Sequence, residues 1–429
     1  MATFSPRFFR SLLFSCCLLL ALLAVFPGCR TRTLPENDPD DLTPRTATPS
    51  HRTRIDRSLS RAARFLLARQ SADGAWRSDT YGSFKDGPSL TPLVVSALLA
   101  CTETSKGKAA CRKGAAYLAA MAQPNAGINE GKRGLNYPVY TAAGAVLVLS
   151  QPRFAAHRKA RNAWLVYLRE RQLTEKLGWQ PRDKEYGGWG YAIGLPRKPK
   201  EEALTESNLS ATVFALEALR AAGCSSRDQA LDKALVFVKR CQNFADDARQ
   251  ENPAFDDGGF FFIYDDADRN KAGLAGREDN GRERFFSYGS ATADGLRCLL
   301  ACGLKRGHPR VRAARRWLER EFRADLHPGQ FAEGSEFKRP AVYYYYALSA
   351  ARALRAATGP VLPRPQGKLP WPALLADELQ RRQRKDGSWV NPATFVREDD
   401  PVMASSLAVL ALAECRAALT EKGLAGEAD

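Results

Sequence analysis

The chain has 429 residues, 45% of them hydrophobic and 26% charged, with a formal net charge of +17. That balance excludes a disordered or fibrous chain and lets most of the length bury a core. The basic residues are spread along the sequence, as at Arg61, Arg158, Arg240, Arg312 and Arg381. They are not gathered on one element between aromatics, so no nucleic-acid partner is expected.

Arg7 and Arg10 precede an almost wholly apolar run from Ser11 to Phe26. Its length suits the core of an export signal and falls short of a bilayer span. It ends in Phe26-Pro27-Gly28-Cys29, which resembles a bacterial lipobox. In that reading residues 1–29 are the signal segment and Cys29 becomes the lipidated first residue of a protein held in the cell envelope. Residues 30–52, rich in Thr, Pro and Asp, read as a disordered tether. No later apolar run looks long enough to cross a membrane.

From 53 to 420 two kinds of helix alternate six times, before a short tail over 421–429. The stretch 210–223 aligns without gaps to 290–303. Both start with small polar residues, run apolar at helical spacing and stop at a glycine. Weaker copies lie at 89–101, 140–150, 343–357 and 403–413. Each is preceded by an Arg-rich helix, over 57–70, 108–122, 154–172, 227–242, 309–322 and 372–383. In the fifth of these, Val311, Ala314, Leu318 and Phe322 mark a single apolar face. A buried helix alternating with a half-exposed one predicts an all-α fold, an α/α toroid of six inner and six outer helices.

The sharpest motif follows the outer helix. Gln70-Ser-Ala-Asp73-Gly74-Ala-Trp76 and Gln383-Arg-Lys-Asp386-Gly387-Ser-Trp389 share Q-x-x-D-G-x-W. Degenerate forms are Gly187-Gly188-Trp189, Gly258-Gly259-Phe260 and Gly329-Gln330-Phe331, and a second copy near 127–136 is eroded. Gln at a helix end can bond the backbone of the next turn, and Asp-Gly makes that turn tight. The aromatic is expected to be buried between outer helices.

The motif resembles the QW repeat of squalene–hopene and oxidosqualene cyclases, which recurs in degenerate form in protein prenyltransferase β subunits. The stretch from Gly258 to Tyr264, followed by Ser287 to Thr292, is similar to secreted bacterial proteins with prenyltransferase and squalene oxidase repeats. The resemblance spans about residues 55–415. It implies the terpenoid cyclase toroid and leaves the reaction open.

The chemistry that the resemblance implies is incomplete. Class II terpene cyclases use an Asp-rich D-x-D-D motif, and the nearest match here is Arg397-Glu398-Asp399-Asp400, with Arg at the first Asp position. Asp399 and Asp400 are candidate acids, but they also read as a cap ahead of Pro401. The prenyltransferases bind zinc through Asp, Cys and His at inner-helix ends. None of His51, His157, His308 and His327 lies near the start of a predicted inner helix. No metal and no cofactor are therefore expected. Asp266-x-Asp268-x-Asn270 opens like a calcium loop but continues with Lys271 where Gly is needed. Cys101 and Cys111 flank a short loop and could pair. Cys298 and Cys302, four apart on one face, suit buried thiols better.

The mouth of the ring is expected to carry Tyr137, Tyr140, Glu206, Asn208, Tyr288, Tyr343 and Tyr344 as ligand-binding residues, beside Asp399 and Asp400. Asp294 lies deeper and is a third candidate catalytic acid, although a carboxylate there needs a partner such as Arg297. The leading expectation is a membrane-tethered toroid that binds a hydrophobic, glycan or peptide ligand. The alternatives are a terpene-cyclase-like enzyme, a polysaccharide lyase or hydrolase on the same barrel, or a protein-interaction scaffold. Squalene cyclisation and zinc-dependent prenyl transfer are not expected.

Overall fold

A computed structural model of the chain describes residues 50–421, apart from 102, 126, 133, 199–205, 265–267 and 366. The expected signal segment, Cys29, the tether up to residue 49 and the tail over 422–429 lie outside the described residues.

Among the described residues twelve α-helices alternate outer and inner. The pairs are α1 (His51–Leu67) with α2 (Thr91–Cys101), α3 (Ser105–Ala120) with α4 (Pro138–Leu149), and α5 (Arg158–Glu170) with α6 (Leu209–Ala221). They continue with α7 (Gln229–Arg240) and α8 (Gly289–Ala301), α9 (Pro309–Glu321) and α10 (Tyr343–Ala357), and α11 (Trp371–Arg382) and α12 (Pro401–Thr420). Helix α1 begins earlier than expected, because the Ser50 hydroxyl accepts from Thr53 N and caps it.

Each inner helix packs against the next, and α12 packs back on α2, so the inner ring closes. In α8 every residue from Gly289 to Leu299 is buried. In α9 only one stripe is, including Val311, Ala314, Trp317 and Leu318. A helix surrounded by others has to be apolar all round, whereas a peripheral one needs a single apolar stripe. Two short antiparallel hairpins are the only strands among the described residues. They are β1 (Leu274–Arg277) with β2 (Glu283–Phe285), and β3 (Leu362–Arg364) with β4 (Gly367–Leu369).

The Gln–Gly–aromatic turn ties four of the six repeats to the next outer helix. Gln70 Nε2 donates both to Gly74 O within its turn and to Ala110 O in α3, at 2.9 Å each. Gly74 has φ +93°, and a Cβ there would lie 2.7 Å from Lys113 O of the same helix. Gln172 repeats the clasp onto Gly187 O and Ala230 O, and Gln242 onto Gly258 O and Arg310 O. Gln383 bonds Gly387 O and Ser58 O, joining the last outer helix to the first. The aromatic backbone N–H then donates to a hydroxyl on the following inner helix: Trp76 to Thr91, Trp189 to Thr212, Phe260 to Thr292 and Trp389 to Ser405. Trp76 and Trp389 are fully buried. Their indole N–H groups donate to Leu66 O and Leu379 O, the last turns of α1 and α11.

One expectation needs correction. Helix α12, with 20 residues, is long and apolar enough to cross a bilayer, although no such run was expected past the signal. As the closing stave of the ring it has 67% of its most apolar 18-residue stretch buried, which accounts for its composition. The seven described cysteines are free thiols, Cys101 and Cys111 among them. Burial pushes Cys101 up to about 12 and Cys111 up to about 11, so both stay protonated at neutral pH.

Candidate functional site

The first three turns of all six inner helices enclose a central cavity of about 240 Å³. Its walls are mainly aromatic and aliphatic, with Phe84, Tyr137, Tyr140, Tyr191, Phe214, Phe262 and Tyr345 around it. Small residues at the starts of α6 and α8, Ser210, Ser290 and Ala291, leave that space open. A wider groove of about 760 Å³ runs along the outside near Arg320 and Leu369. It is open to solvent, and Arg320, Arg323 and Arg339 there already face Glu321, Asp325 and Glu336. The central cavity is therefore the better candidate for a ligand site.

Asp294 of α8 lines the cavity with 1% of its surface exposed. It accepts from Arg297 Nη1 at 3.0 Å, from Tyr345 Oη at 2.7 Å and from the Ser349 hydroxyl. Burial raises its pKa, and Arg297 and the two hydroxyls oppose that rise. Tyr345 Oη also lies 2.7 Å from Ser210 Oγ. Tyr140 Oη donates to the same Ser210 Oγ at 2.8 Å and stands 3.3 Å from Tyr191 Oη. A run of hydroxyls from four elements thus leads across the cavity wall to one carboxyl. Below it Arg297 and Arg352 share Glu217, and Arg352 reaches Glu414, so charge is neutralised pair by pair at the floor.

Glu398 is the second carboxyl on the cavity and has no exposed surface outside it. It accepts from the backbone N–H of Tyr344 at 2.9 Å and of Tyr345 at 2.7 Å, and from Asn391 Nδ2 at 3.0 Å. It therefore covers the N-terminus of α10. Burial outweighs these donors and lifts its pKa to about 7. The preceding Arg397 holds φ +65°, a strained value for a side-chain-bearing residue, and Asp400 N donates to Arg397 O at 3.1 Å. Its guanidinium lies 5.4–5.7 Å from the rings of Tyr81, Phe84 and Tyr137 and donates to Ser83 Oγ at 2.7 Å. This places a cation at the cavity rim.

Lys271 also lines the cavity, with its ammonium 4.3 Å from the centre of the Phe262 ring. Burial lowers its pKa to about 8, partly offset by the charges of Asp294 and Glu398.

Of the residues singled out in the sequence, Tyr137, Tyr140 and Asp294 line this cavity. The others stand elsewhere, each for a local reason. Asp400 caps α12, accepting from Val402 N and Met403 N at 2.9 Å, and also bonds Ser78. Asp399 accepts from Tyr81 Oη at 2.7 Å. Asn208 caps α6 through Ala211 N, and Glu206 pairs with Arg269 at 2.8 Å. Tyr343 points outward to Ala324 O under Arg382, and Tyr344 reaches toward Val390 O. Tyr288 is buried against His327 and Phe331. His327 itself comes to the start of α8, where Nε2 accepts from Ser290 N at 2.9 Å, although nothing in its sequence position suggested that. Among the described residues no group of three or more His, Cys, Asp or Glu side chains is arranged to hold a metal ion. Asn270 of the calcium-like stretch turns its amide onto Phe262 N, Ile263 N and Ile263 O.

Sequence reasoning missed Glu398, Lys271, Tyr345 and Arg397. Tyr345 sat in a run of four tyrosines that covers every helix face. Glu398 sat inside the degenerate acidic motif, directly before two aspartates in helix-capping position.

No family model matches the chain, and no curated protein matches it by sequence. Solved structures do match. A variant of the type II terpene cyclase MstE from Scytonema, in complex with geranylgeranyl dihydroxybenzoate, has a TM-score of 0.52 at 13% identity, over 86% of this chain and 98% of its own. The apo form of MstE gives 0.52 at 13% identity over 86% and 99%. A protein from Actinoplanes gives 0.50 at 17% identity over 85% and 99%. At such identity the likeness concerns the fold: this chain has the α/α toroid of the terpene cyclases.

Proposed function

We propose that the ring is a receptacle for a hydrophobic ligand, or for the hydrophobic segment of a longer one, in an exported protein held at the membrane by lipid on Cys29. The observation that carries the binding reading is the cavity, to which every inner helix contributes and whose walls are mainly aromatic and aliphatic. Its volume falls just below the range of about 300–1,000 Å³ usual for ligand sites, so a small molecule or a short segment fits best. The neighbouring cyclase holds a prenylated aromatic acid, which is a ligand of this character. Arg397 at the rim suits a ligand whose polar end is anionic.

Native mass spectrometry of the full chain tests this directly. A bound apolar mass is expected in the wild type and is expected to be lost in Ser96→Phe, which fills the cavity from α2. Wild-type protein that is consistently empty, and that takes up no apolar probe, would refute it. The anchoring reading predicts that Cys29→Ser releases the protein from the membrane fraction. Full retention of that variant, with no acyl mass on the wild type, would refute the anchor.

A second reading, an acid–base enzyme on the same barrel, is favoured by one observation. Asp294 and Glu398 face the same cavity, and Glu398 titrates near neutrality. Both also serve the fold, Glu398 at the N-terminus of α10 and Asp294 beside Arg297, which is why binding is placed first. Turnover of an apolar substrate that disappears in Glu398→Gln would reverse that order.

A further inference from the structure

Lys271 has no task in the fold. Its ammonium makes no ion pair or hydrogen bond among the described residues, and its one close partner is the face of Phe262 at 4.3 Å. The backbone beneath it is held firmly. Asn270 is fully buried and makes three hydrogen bonds to Phe262 and Ile263. On the other side, Ala272 O accepts from Ala332 N at 2.8 Å, and Gly273, at φ +82°, is pressed against Ala332 and Ser335. The loop therefore presents Lys271 to the cavity from a fixed position. The amine meets aromatic walls there, with Glu398 and Asp294 near enough for their charges to act on it, as does the charge of Lys338.

An unpaired amine on a rigid loop, in an apolar pocket beside a protonatable carboxyl, has the arrangement that carbonyl capture needs. We propose that Lys271 forms an imine with a hydrophobic aldehyde or ketone bound in the central cavity. The inference rests on the cavity being a ligand site and names the chemical class of its ligand. The nitrogen lone pair attacks the carbonyl carbon, the C=O π pair moves to oxygen, and the oxygen takes up one of the two protons that nitrogen carried. The resulting carbinolamine loses that oxygen as water. Glu398 supplies the proton that leaves with the hydroxyl, and its carboxylate takes back the proton shed by nitrogen as C=N forms. Amine and carbonyl become imine and water, with no oxidant or reductant. Burial serves both steps. It keeps about 10% of Lys271 neutral at pH 7 against roughly 0.03% for an ordinary lysine, and it keeps about half of Glu398 protonated.

The test uses the full chain, cuminaldehyde as the carbonyl probe and p-cymene, the same skeleton without the carbonyl, as the control. After borohydride reduction at pH 7, peptide mapping is expected to place the label on Lys271, enriched more than about tenfold over the mean of the other lysines. Excess p-cymene is expected to protect it, and Lys271→Met and Lys271→Arg to abolish it. If p-cymene binds but the label spreads over surface lysines without favouring Lys271, the imine inference is overturned and the cavity reading stands. If neither compound enters, the cavity reading falls and the inference with it. The wild-type map decides the question even if a Lys271 variant folds poorly.

Discussion

Replacing Gln383 by Ala would test whether the last turn closes the ring. Its Nε2 donates to Ser58 O and to Gly387 O at 3.0 Å each, and its Oε1 accepts from Ser58 Oγ at 2.7 Å. Alanine removes all three bonds and strands two carbonyls between the first and last outer helices. A hydrogen bond contributes about 0.5–1.5 kcal/mol net, and an unsatisfied buried partner costs more, so the loss comes to roughly 2–4 kcal/mol. Partial exposure of the site keeps Gln383→Ala toward the lower end. Gln242→Ala belongs at the upper end, because Gln242 is 4% exposed and also accepts from Arg310 Nη1 at 3.0 Å, which would lose that acceptor. Gln380 is an internal control, since its amide bonds only Ala376 O within its own helix. Its alanine variant is expected to change stability by less than about 0.5 kcal/mol. Urea unfolding followed by far-UV circular dichroism at one pH ranks the three. A Gln383→Ala midpoint no lower than that of Gln380→Ala would refute the closure argument, and so would a smaller loss for Gln242 than for Gln383.

Trp76→Ala and Trp389→Ala each remove a fully buried indole and are expected to cost roughly 3–5 kcal/mol, read as lowered melting temperatures. An unchanged melting temperature in both would count against their role between the helices. His327, whose pKa burial lowers to about 3, stays neutral in the folded state while the unfolded chain takes up a proton below about 6.5. Its contribution therefore falls as pH drops from 6.5 toward 3, by up to roughly 5 kcal/mol. His327→Gln keeps an acceptor for Ser290 N but does not titrate, so the wild-type-minus-variant stability should decline over that window, and a pH-independent difference would contradict the reasoning. Asp400→Ala is expected to cost about 1–2 kcal/mol through the lost α12 cap, measured by urea unfolding. Asp400→Asn, which can still cap, should recover most of it.

What local chemistry determines was legible in the sequence. The alternation of one-faced and all-round apolar helices is set by how much of each helix meets neighbours, and it showed as periodicity. Gln70 and Gln383 announced their clasp because the turn between glutamine and glycine is short. Asp400 announced its cap because capping reaches only two or three residues along the chain. Gln172 and Gln242 perform the same clasp without showing the motif in the sequence. They lie 15 and 16 residues from the glycines they bond, and the intervening loops break the motif's spacing.

The cavity could not be read in this way. Which of Tyr343, Tyr344, Tyr345 and Tyr346 faces inward depends on the rotation of α10, and that rotation is set by packing against α8 and α12. Glu398 meets the N-terminus of α10 from more than fifty residues away, and Tyr345 joins Asp294 and Ser210 across three helices. Lys271 looks like any surface lysine in a polar loop until Asn270 folds that loop inward. A buried group's pKa and its partners follow from the ring having closed around it, and so only the tertiary structure decides them.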